Sequence, residues 1–216
     1  MKSHTRSALP RLTVLVCSVA LFSGCVDNAP DPFEPAFLGI CPSLTCSPLV
    51  SDQVSKLDPA GYPLAIGGAS RQVLAQVVSP GVDGRLMAIG LPVACAADPR
   101  NQLVIDVVDV VAGQPGITVL QRTVIPNAAL TGGFGSPPRY RRLDLAAGVP
   151  IRRRRPIGFV LWSKGLCTTL PGQIGNPYAG GDSYFQALPN PPGWVPLTTG
   201  TGRSDLAFQT WVARAR

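Results

Sequence analysis

The strongest structural signal in the chain is a run of nine residues, Gln102-Leu103-Val104-Ile105-Asp106-Val107-Val108-Asp109-Val110. Successive side chains of a strand point to opposite faces, so every second residue from Leu103 shares one face, which is apolar until Asp109. The other face begins at Val104 and is apolar except for Asp106. A strand with two largely apolar faces is covered on both sides, and this run therefore predicts a strand inside a layered β-sheet protein.

Further runs of strand length lie on both sides of this one, between turn segments rich in Gly, Pro, Asn and Asp. The other candidate strands cover residues 72–78, 85–94, 118–124, 141–145, 157–162, 183–186 and 205–212. Turns are predicted at 79–84, 112–116 and 146–150, with one helical turn at 126–130. Because no long segment has a helical stripe, we predict an all-β, antiparallel β-sandwich domain over residues 64–216. The spacing leaves jelly-roll and immunoglobulin-like topologies open.

The first 24 residues have the three parts of a secretory signal peptide. Basic residues up to Arg11 precede an apolar run at 12–22, and the small pair Ser23-Gly24 follows. The apolar run is about half of the ~20 residues that a membrane-spanning helix needs. We therefore predict that residues 1–24 are removed on export.

The junction Leu21-Phe22-Ser23-Gly24-Cys25 resembles a bacterial lipobox. The resemblance implies that Cys25 receives a diacylglycerol thioether and becomes the new amino terminus, with palmitate among its acyl chains. Two or three acyl chains are enough for stable membrane anchoring. The alternative is a secreted protein in which Cys25 joins a disulfide. Because Val26 stands where Asp usually signals inner-membrane retention, the resemblance favours the outer membrane.

Residues 25–63 predict an irregular tether between the membrane and the domain. This stretch is rich in Pro, Asp and Ser, and its apolar residues follow neither a period of two nor one of 3.6.

Four cysteines remain once Cys17 leaves with the signal and Cys25 is acylated. An even number in an oxidising compartment predicts two disulfides, for which three connectivities exist. We favour a local loop between Cys41 and Cys46 and a long-range bridge between Cys95 and Cys167. A zinc site is the rival interpretation, but the spacings are not paired CxxC units.

Composition narrows the possible chemistry of the mature chain. Removal of residues 1–24 deletes three basic and no acidic residues, so the formal net charge falls from +7 to +4. This mild excess lacks the broad basic face and clustered aromatics typical of nucleic-acid binding. His4 is the only histidine of the chain and is lost with the signal, so a Ser-His-Asp triad and a histidine general base are excluded. We predict that the protein is not an enzyme.

The C-terminal half carries a family resemblance in three segments, at residues 178–185, 193–197 and 205–212. They resemble the Y-x-G-G-x-x-Y, W-x-P and D-L-A-F-x-T-Y-V elements of bacterial extracellular jelly-roll domains, and residues 72–76 and 103–107 resemble the opening strands of that family. The similarity covers roughly residues 65–213. It implies a galactose-binding-like or carbohydrate-module-like jelly roll without assigned catalytic residues.

Four residues of the segment between Gly175 and Trp194 are candidates for carbohydrate binding. Tyr178, Tyr184 and Trp194 offer rings for stacking on sugars, and Asp182 offers a carboxylate for hydroxyl groups. The alternative, which the family pattern favours, is that Tyr184, Phe185 and Trp194 fill the core.

Two charged sets are weaker candidates. The arginines at 152–155, with Arg139, Arg141 and Arg142, suit phosphate or carboxylate groups of surface glycans, although a solvated loop and edge strand is the interpretation we favour. Four aspartates could supply oxygen ligands to a structural calcium ion, but no Asp-x-Asp-x-Asp loop exists and we predict no required cofactor. The four are Asp106, Asp109, Asp182 and Asp205.

The sequence thus predicts a lipid-anchored, non-catalytic β-sandwich of the cell envelope, with a binding or structural role towards glycans or envelope proteins. Its membrane contact is the lipid anchor. The alternative is an aspartate- or calcium-dependent hydrolase of envelope polysaccharide, which would need two carboxylates about 5–10 Å apart in one cleft.

Overall fold

The computed structural model describes residues 48–58, 60–98, 101–130, 140–173, 178–187, 193–199 and 202–215. The signal peptide, Cys25, Cys41 and Cys46 lie outside the described residues, so what the sequence predicts for them stays a prediction.

The described part of the chain is built from β-strands, with one turn of 3-10 helix at Asn127–Ala129. The strands are β1 (Leu49–Ser55), β2 (Leu64–Gly67), β3 (Val73–Val78), β4 (Gly84–Pro92), β5 (Ala94–Cys95), β6 (Gln102–Val111), β7 (Gln114–Pro126), β8 (Tyr140–Ile151), β9 (Ile157–Ser163), β10 (Leu166–Thr169), β11 (Ser183–Gln186), β12 (Val195–Pro196), β13 (Thr198–Thr199), β14 (Gly202–Arg203) and β15 (Phe208–Arg214). No helix among the described residues is long and apolar enough to cross a membrane.

Two antiparallel sheets form a β-sandwich, as the sequence predicts. The four-stranded sheet has the order β1-β15-β4-β8, and the six-stranded sheet has the order β12-β11-β3-β9-β6-β7. The eight long strands are, in chain order, β1, β3, β4, β6, β7, β8, β9 and β15. Counted in that order, they are arranged 1-8-3-6 in one sheet and 2-7-4-5 in the other, with β11 and β12 added beside β3. This is the strand order of a jelly roll, so the sheet topology decides between the two alternatives left by the sequence.

The main core lies between the two sheets because each long strand alternates its side chains. On β9, Phe159 and Leu161 are fully buried in that core, while Val160 points to the opposite, outer face of the six-stranded sheet. Phe159 meets Phe208 of the four-stranded sheet edge-to-face, with ring centroids 5.6 Å apart. The outer face carries a second, smaller apolar cluster, formed by Ala75, Val77, Val108, Val160 and Tyr184. Strand β6 contributes to both clusters, which confirms the two-sided burial predicted for residues 102–110.

Cys95 and Cys167 form a disulfide, which confirms the long-range pairing. They are directly opposed in strands β5 and β10, with their Cα atoms 3.9 Å apart. Both cysteines are buried in the main core. The bridge links two neighbouring strands of the small sheet β2-β10-β5.

The sandwich begins earlier than predicted, and the tether assigned to residues 25–63 is wrong at its C-terminal end. Strand β1 pairs with β15, with Leu49 opposite Ala213 and Ser55 opposite Phe208. Only Ser55 of this strand is buried, because β1 lies at the edge of its sheet. An edge strand of mixed polarity has no clean alternation, which is why it resembles a linker in the sequence.

The turn predicted at 146–150 is also wrong, because β8 continues through it to Ile151. The register against β4 shifts between Leu86 and Ala88, so β8 bulges where glycine occurs. Gly148 has φ +62°, and a Cβ atom on it would lie 2.6 Å from the sulfur of Met87. The glycine therefore belongs to a bulge inside a strand. The turn predicted at 112–116 is shorter, a two-residue hairpin at Ala112-Gly113 with positive φ at both positions.

Candidate functional site

An open groove lies where β9 ends, beside the connection from β2 to β3. It encloses about 360 Å³. Its lining residues are Gly68, Arg71, Gln72, Val73, Trp162, Ser163 and Lys164, and we call it the Trp162 groove. The lining combines an indole, an amide, a hydroxyl and two cations.

Glycines hold the β2–β3 connection against the end of β9. Gly67 has φ +78°, and a Cβ atom there would lie 2.2 Å from the carbonyl oxygen of Gly165. The N–H of Gly68 donates to that same oxygen at 2.9 Å. Arg71 closes the connection with φ +48°, a left-handed conformation that is uncommon for a residue with a side chain. This packing sets one wall of the groove.

Trp162 is held in place by a charged pair on the outer face of the six-stranded sheet. Its indole N–H donates to Oδ2 of Asp106 at 3.0 Å. Arg122 grips the same carboxylate with Nε and Nη2, at 2.6 and 2.8 Å, and its guanidinium carbon lies 5.5 Å from the indole centroid. The hydrogen bond to Asp106 and its charge raise the pKa of Arg122 above its ordinary value. The indole is therefore fixed before any ligand arrives.

The electrostatics of the groove favour an anionic ligand. Arg71 and Lys164 are exposed, and neither forms a salt bridge with a described residue. No carboxylate occurs among the groove's described lining residues. Guanidinium and ammonium groups bind carboxylate and phosphate, while an indole edge and an amide suit a ring that carries hydroxyl groups.

The structure does not support Tyr178 as a ligand-stacking residue, because its ring lies in the main core. The residue is 6% exposed and packs edge-to-face on Phe208, with centroids 5.0 Å apart. The N–H of Ser79 donates to its hydroxyl oxygen at 3.0 Å. Burial raises the pKa of Tyr178 to about 12, partly offset by that hydrogen bond. Tyr178 is therefore a core residue, and its assignment as a stacking residue is not supported.

Tyr184 is also buried, on the outer face of the same sheet. It is 6% exposed and belongs to the outer cluster. Its hydroxyl donates to the carbonyl oxygen of Gly113 at 3.0 Å, which joins β11 to the β6–β7 hairpin. Burial raises its pKa. The ring presents no face for stacking on a sugar.

Asp182 and Trp194 are the two predicted ligand residues that keep some exposed surface. Asp182 pairs with Arg203 at 2.6 Å, and Trp194 packs half-buried against the outer cluster. Neither lines the Trp162 groove. Their role as ligand contacts stays a prediction.

The four aspartates predicted as calcium ligands do not gather into one site. The carboxylate of Asp106 accepts hydrogen bonds from Arg122 and Trp162. That of Asp109 accepts the N–H of Thr118 at 3.0 Å. Across residues 48–58, 60–98, 101–130, 140–173, 178–187, 193–199 and 202–215, no three metal-ligating side chains converge. These residues do not fit the oxygen shell that calcium needs.

Asp205 is the most unusual of the four because it is fully buried without a cation. Its Oδ1 accepts from Nε2 of Gln76 at 2.8 Å, and Oδ2 has no hydrogen-bond partner within the described part of the chain. Burial raises its pKa from 3.8 to about 6; the hydrogen bond from Gln76 lowers it, and the charge of Asp182 raises it further. The carboxyl group lies in the core rather than in a cleft.

Sequence reasoning missed the groove, although one of its signals is visible in the sequence. The two-residue period of 157–162 places Trp162 on the face opposite Phe159 and Leu161. An aromatic residue on the non-core face at the end of a strand is a binding candidate. Arg71 and Lys164 could not be added to it, because only the fold brings the β2–β3 connection beside the end of β9.

No protein-family model matches the chain, and no curated protein matches it significantly. The resemblance to extracellular jelly-roll domains therefore stays a prediction, and the functional case rests on the geometry of the groove.

Proposed function

We propose that this chain is a lipid-anchored, non-catalytic protein of the bacterial cell envelope that binds glycans in the Trp162 groove. The observation that carries the proposal is the groove itself, in which a pre-positioned indole stands beside two exposed cations. The anchor on Cys25 and the outer-membrane location come from the lipobox resemblance.

The chemistry of the lining indicates acidic glycans. Val73 and the indole of Trp162 offer apolar contact to a sugar ring, and the amide of Gln72 can exchange hydrogen bonds with its hydroxyl groups. Arg71 and Lys164 add two cations for a uronate or phosphate substituent. A neutral glycan would leave both cations unused.

Calorimetric titration of the full chain with acidic and neutral envelope oligosaccharides tests the groove. We expect Arg71→Gln and Lys164→Gln each to weaken binding of acidic glycans by about tenfold, the scale of one lost charge-assisted hydrogen bond. Lys56→Gln is the matched control, because it removes one exposed cation just after β1 and outside the groove. Unchanged affinity in both groove variants, or equal loss in the control, would refute the proposed site.

Trp162 needs a conservative substitution because the outer cluster packs against it. Trp162→Phe keeps an aromatic ring but removes the N–H that donates to Asp106. We expect weaker glycan binding with the same circular dichroism spectrum as the parent chain. Full affinity in this variant would remove the indole from the site.

Metabolic labelling with a palmitate analogue tests the anchor. The parent chain should be labelled and Cys25→Ala should not, because the thioether forms on that sulfur. Equal labelling of the two chains would end the lipoprotein proposal and leave the groove proposal standing.

The hydrolase alternative gains no specific support. Asp106 and Asp182 are both held by arginines, and Asp205 is buried against Gln76. A hydrolytic site would need free carboxylates in the groove.

A further inference from the structure

The four arginines at 152–155 form the loop between β8 and β9, and all four are exposed. The loop is not an edge strand, because its backbone turns back on the β3–β4 connection. The N–H of Arg154 donates to the carbonyl oxygen of Pro80 at 2.8 Å, and the N–H of Arg153 donates to Oδ1 of Asp83 at 2.9 Å. Their side chains are thus presented together at one end of the sandwich.

Strand register brings the start of the domain to this same end. Leu49, the first residue of β1, lies opposite Ala213. Arg214, the residue after Ala213 in β15, lies opposite Gly84 of β4. Gly84 in turn lies opposite Ile151 at the end of β8. The polypeptide therefore enters the sandwich at the same end as the loop at 152–155, which we call the arginine loop.

Two further arginines add to the charge at this end. Arg85 and Arg214 are exposed; Arg85 donates to the carbonyl oxygens of Ala147 and Gly148, which leaves its charge unneutralised. We call the set the arginine pole: Arg85, Arg152, Arg153, Arg154, Arg155 and Arg214. The acidic residues at this end include Asp83 and Asp52, whose carboxylates accept backbone N–H groups of Arg153 and Gly81. Strand register also brings Asp109 and Asp182 near the start of β9, where Asp109 accepts the N–H of Thr118 and Asp182 pairs with Arg203. Positive charge prevails at the pole.

The Trp162 groove lies at the opposite end. Strand β9 begins just after the arginine loop and ends at Ser163 in the groove, so its seven residues separate the two regions. At ~3.3 Å per residue this separation is roughly 20 Å.

We propose that the arginine pole binds the anionic lipid headgroups of the membrane that carries the anchor, so that the groove faces away from the bilayer. The inference rests on the proposed anchor. Only 23 residues lie between Cys25 and Leu49, which keeps the pole within at most ~80 Å of the bilayer. Each arginine near an anionic surface favours contact by roughly fivefold, and an acyl anchor combined with a basic patch is a strong pair of membrane signals.

Trypsin cleavage of the full acylated chain in vesicles tests the pole directly, because its own arginines are cleavage sites. One set of vesicles contains phosphatidylcholine alone, and the other contains roughly one third phosphatidylglycerol. We expect cleavage within 152–155 to be at least about tenfold slower on the anionic vesicles and to recover at about 0.5 M NaCl. Cleavage after Arg71 and Lys164, at the groove, should be equal on both vesicles.

Two variants sharpen the test. Arg152→Gln/Arg153→Gln keeps the cleavage site after Arg154, whereas the bond after Arg155 resists trypsin because Pro156 follows it. This variant should lose most of the protection at Arg154. Lys56→Gln, on the other side of β1, should keep it. Equal cleavage of the loop on the two vesicle types, or equal protection at loop and groove, would overturn the proposal.

The intact mass of the purified chain separates this inference from the anchor. If the chain carries no acyl group, the anchor fails, and co-sedimentation of that chain with the anionic vesicles then judges the pole alone. Sedimentation that depends on Arg152 and Arg153 supports the pole, and absence of sedimentation overturns it.

Discussion

One buried aspartate lies against each face of the six-stranded sheet, and the two carboxyl groups have different partners. On the inner face Asp205 is fully buried, has the amide of Gln76 as its side-chain partner, and has its pKa raised to about 6. On the outer face Asp106 is 5% exposed but is gripped by Arg122 and by the indole of Trp162.

The difference shows that the structural role of a buried carboxyl group depends on its partners as well as on its burial. Without a cation, burial favours the protonated acid, so Asp205 is a hydrogen-bonded polar group inside the core. With a cation at its side, the carboxylate of Asp106 becomes an anchor that orients a neighbouring ring. The outer face is therefore the one on which binding chemistry can be built.

Adjacent residues of β9 give the largest expected contrast between the faces. Phe159→Ala removes a fully buried ring of the main core and should lower the free energy of unfolding by about 4 to 5 kcal/mol. Val160→Ala, one residue along on the outer face, should cost roughly 1.5 kcal/mol because fewer buried carbons are lost. Urea unfolding measures both values. Equal losses would mean that the two faces contribute alike to stability.

The disulfide should contribute nearly as much to the free energy of unfolding as the ring of Phe159. Cys95 and Cys167 are 72 residues apart in sequence, so opening the bridge should cost about 4 kcal/mol in the chain-entropy model. Thermal unfolding of Cys95→Ala/Cys167→Ala, which leaves no free thiol at either position, measures the loss. An unchanged melting temperature would contradict this estimate.

Asp205 should make stability depend on pH. Below about pH 4 its carboxyl group is protonated in both the folded and the unfolded chain, and above about pH 6 it is ionised in both. Its contribution to the free energy of unfolding is thus fully present at low pH and is lost as the pH rises from about 4 to about 6, by up to about 3 kcal/mol. Asp205→Asn should abolish this component of the pH profile, and Asp106→Asn should retain it. The same profile in Asp205→Asn would show that another group is responsible.

Asp106→Asn should destabilise the protein less than loss of Phe159 or of the disulfide, and it should have the clearest effect on the groove. Asp106→Asn removes the charge but keeps a hydrogen-bond acceptor, and Arg122 is half exposed, so we expect a loss of about 1 to 2 kcal/mol. Trp162 fluorescence should shift as the indole N–H loses its charged partner. The control is Asp144→Asn, which breaks an exposed pair with Arg142 and should cost less than about 1 kcal/mol. A spectrum unchanged in Asp106→Asn would mean that the carboxylate does not position the ring.

The long strands of this protein were predictable because their side-chain pattern is local. Residues 102–110, 157–162 and 183–186 read correctly as strands, since alternation or continuous apolar character records which faces are covered. The turn predicted at 146–150 was wrong because the bulge at Gly148 inside a strand needs the same backbone freedom as a turn between strands. The long-range disulfide was predictable in outline from an even count of cysteines in one domain.

The candidate site itself depends on contacts that no local pattern records. Tyr178 and Tyr184 were candidate ligand residues because their rings suit stacking on sugars. In the structure each residue reaches a distant partner: Phe208 for Tyr178, and the carbonyl oxygen of Gly113 for Tyr184.

The sequence by itself determined the all-β class, the strand positions on the buried faces and the types of residue available for chemistry. Tertiary structure alone decided that the sandwich is a jelly roll, that Arg71 and Lys164 meet Trp162 in one groove, and that the arginine loop lies where the chain enters the domain. The physical reason is that alternation reports whether a face is covered but not by which strand. In a jelly roll, successive long strands often belong to different sheets, so neighbours in space are distant in sequence.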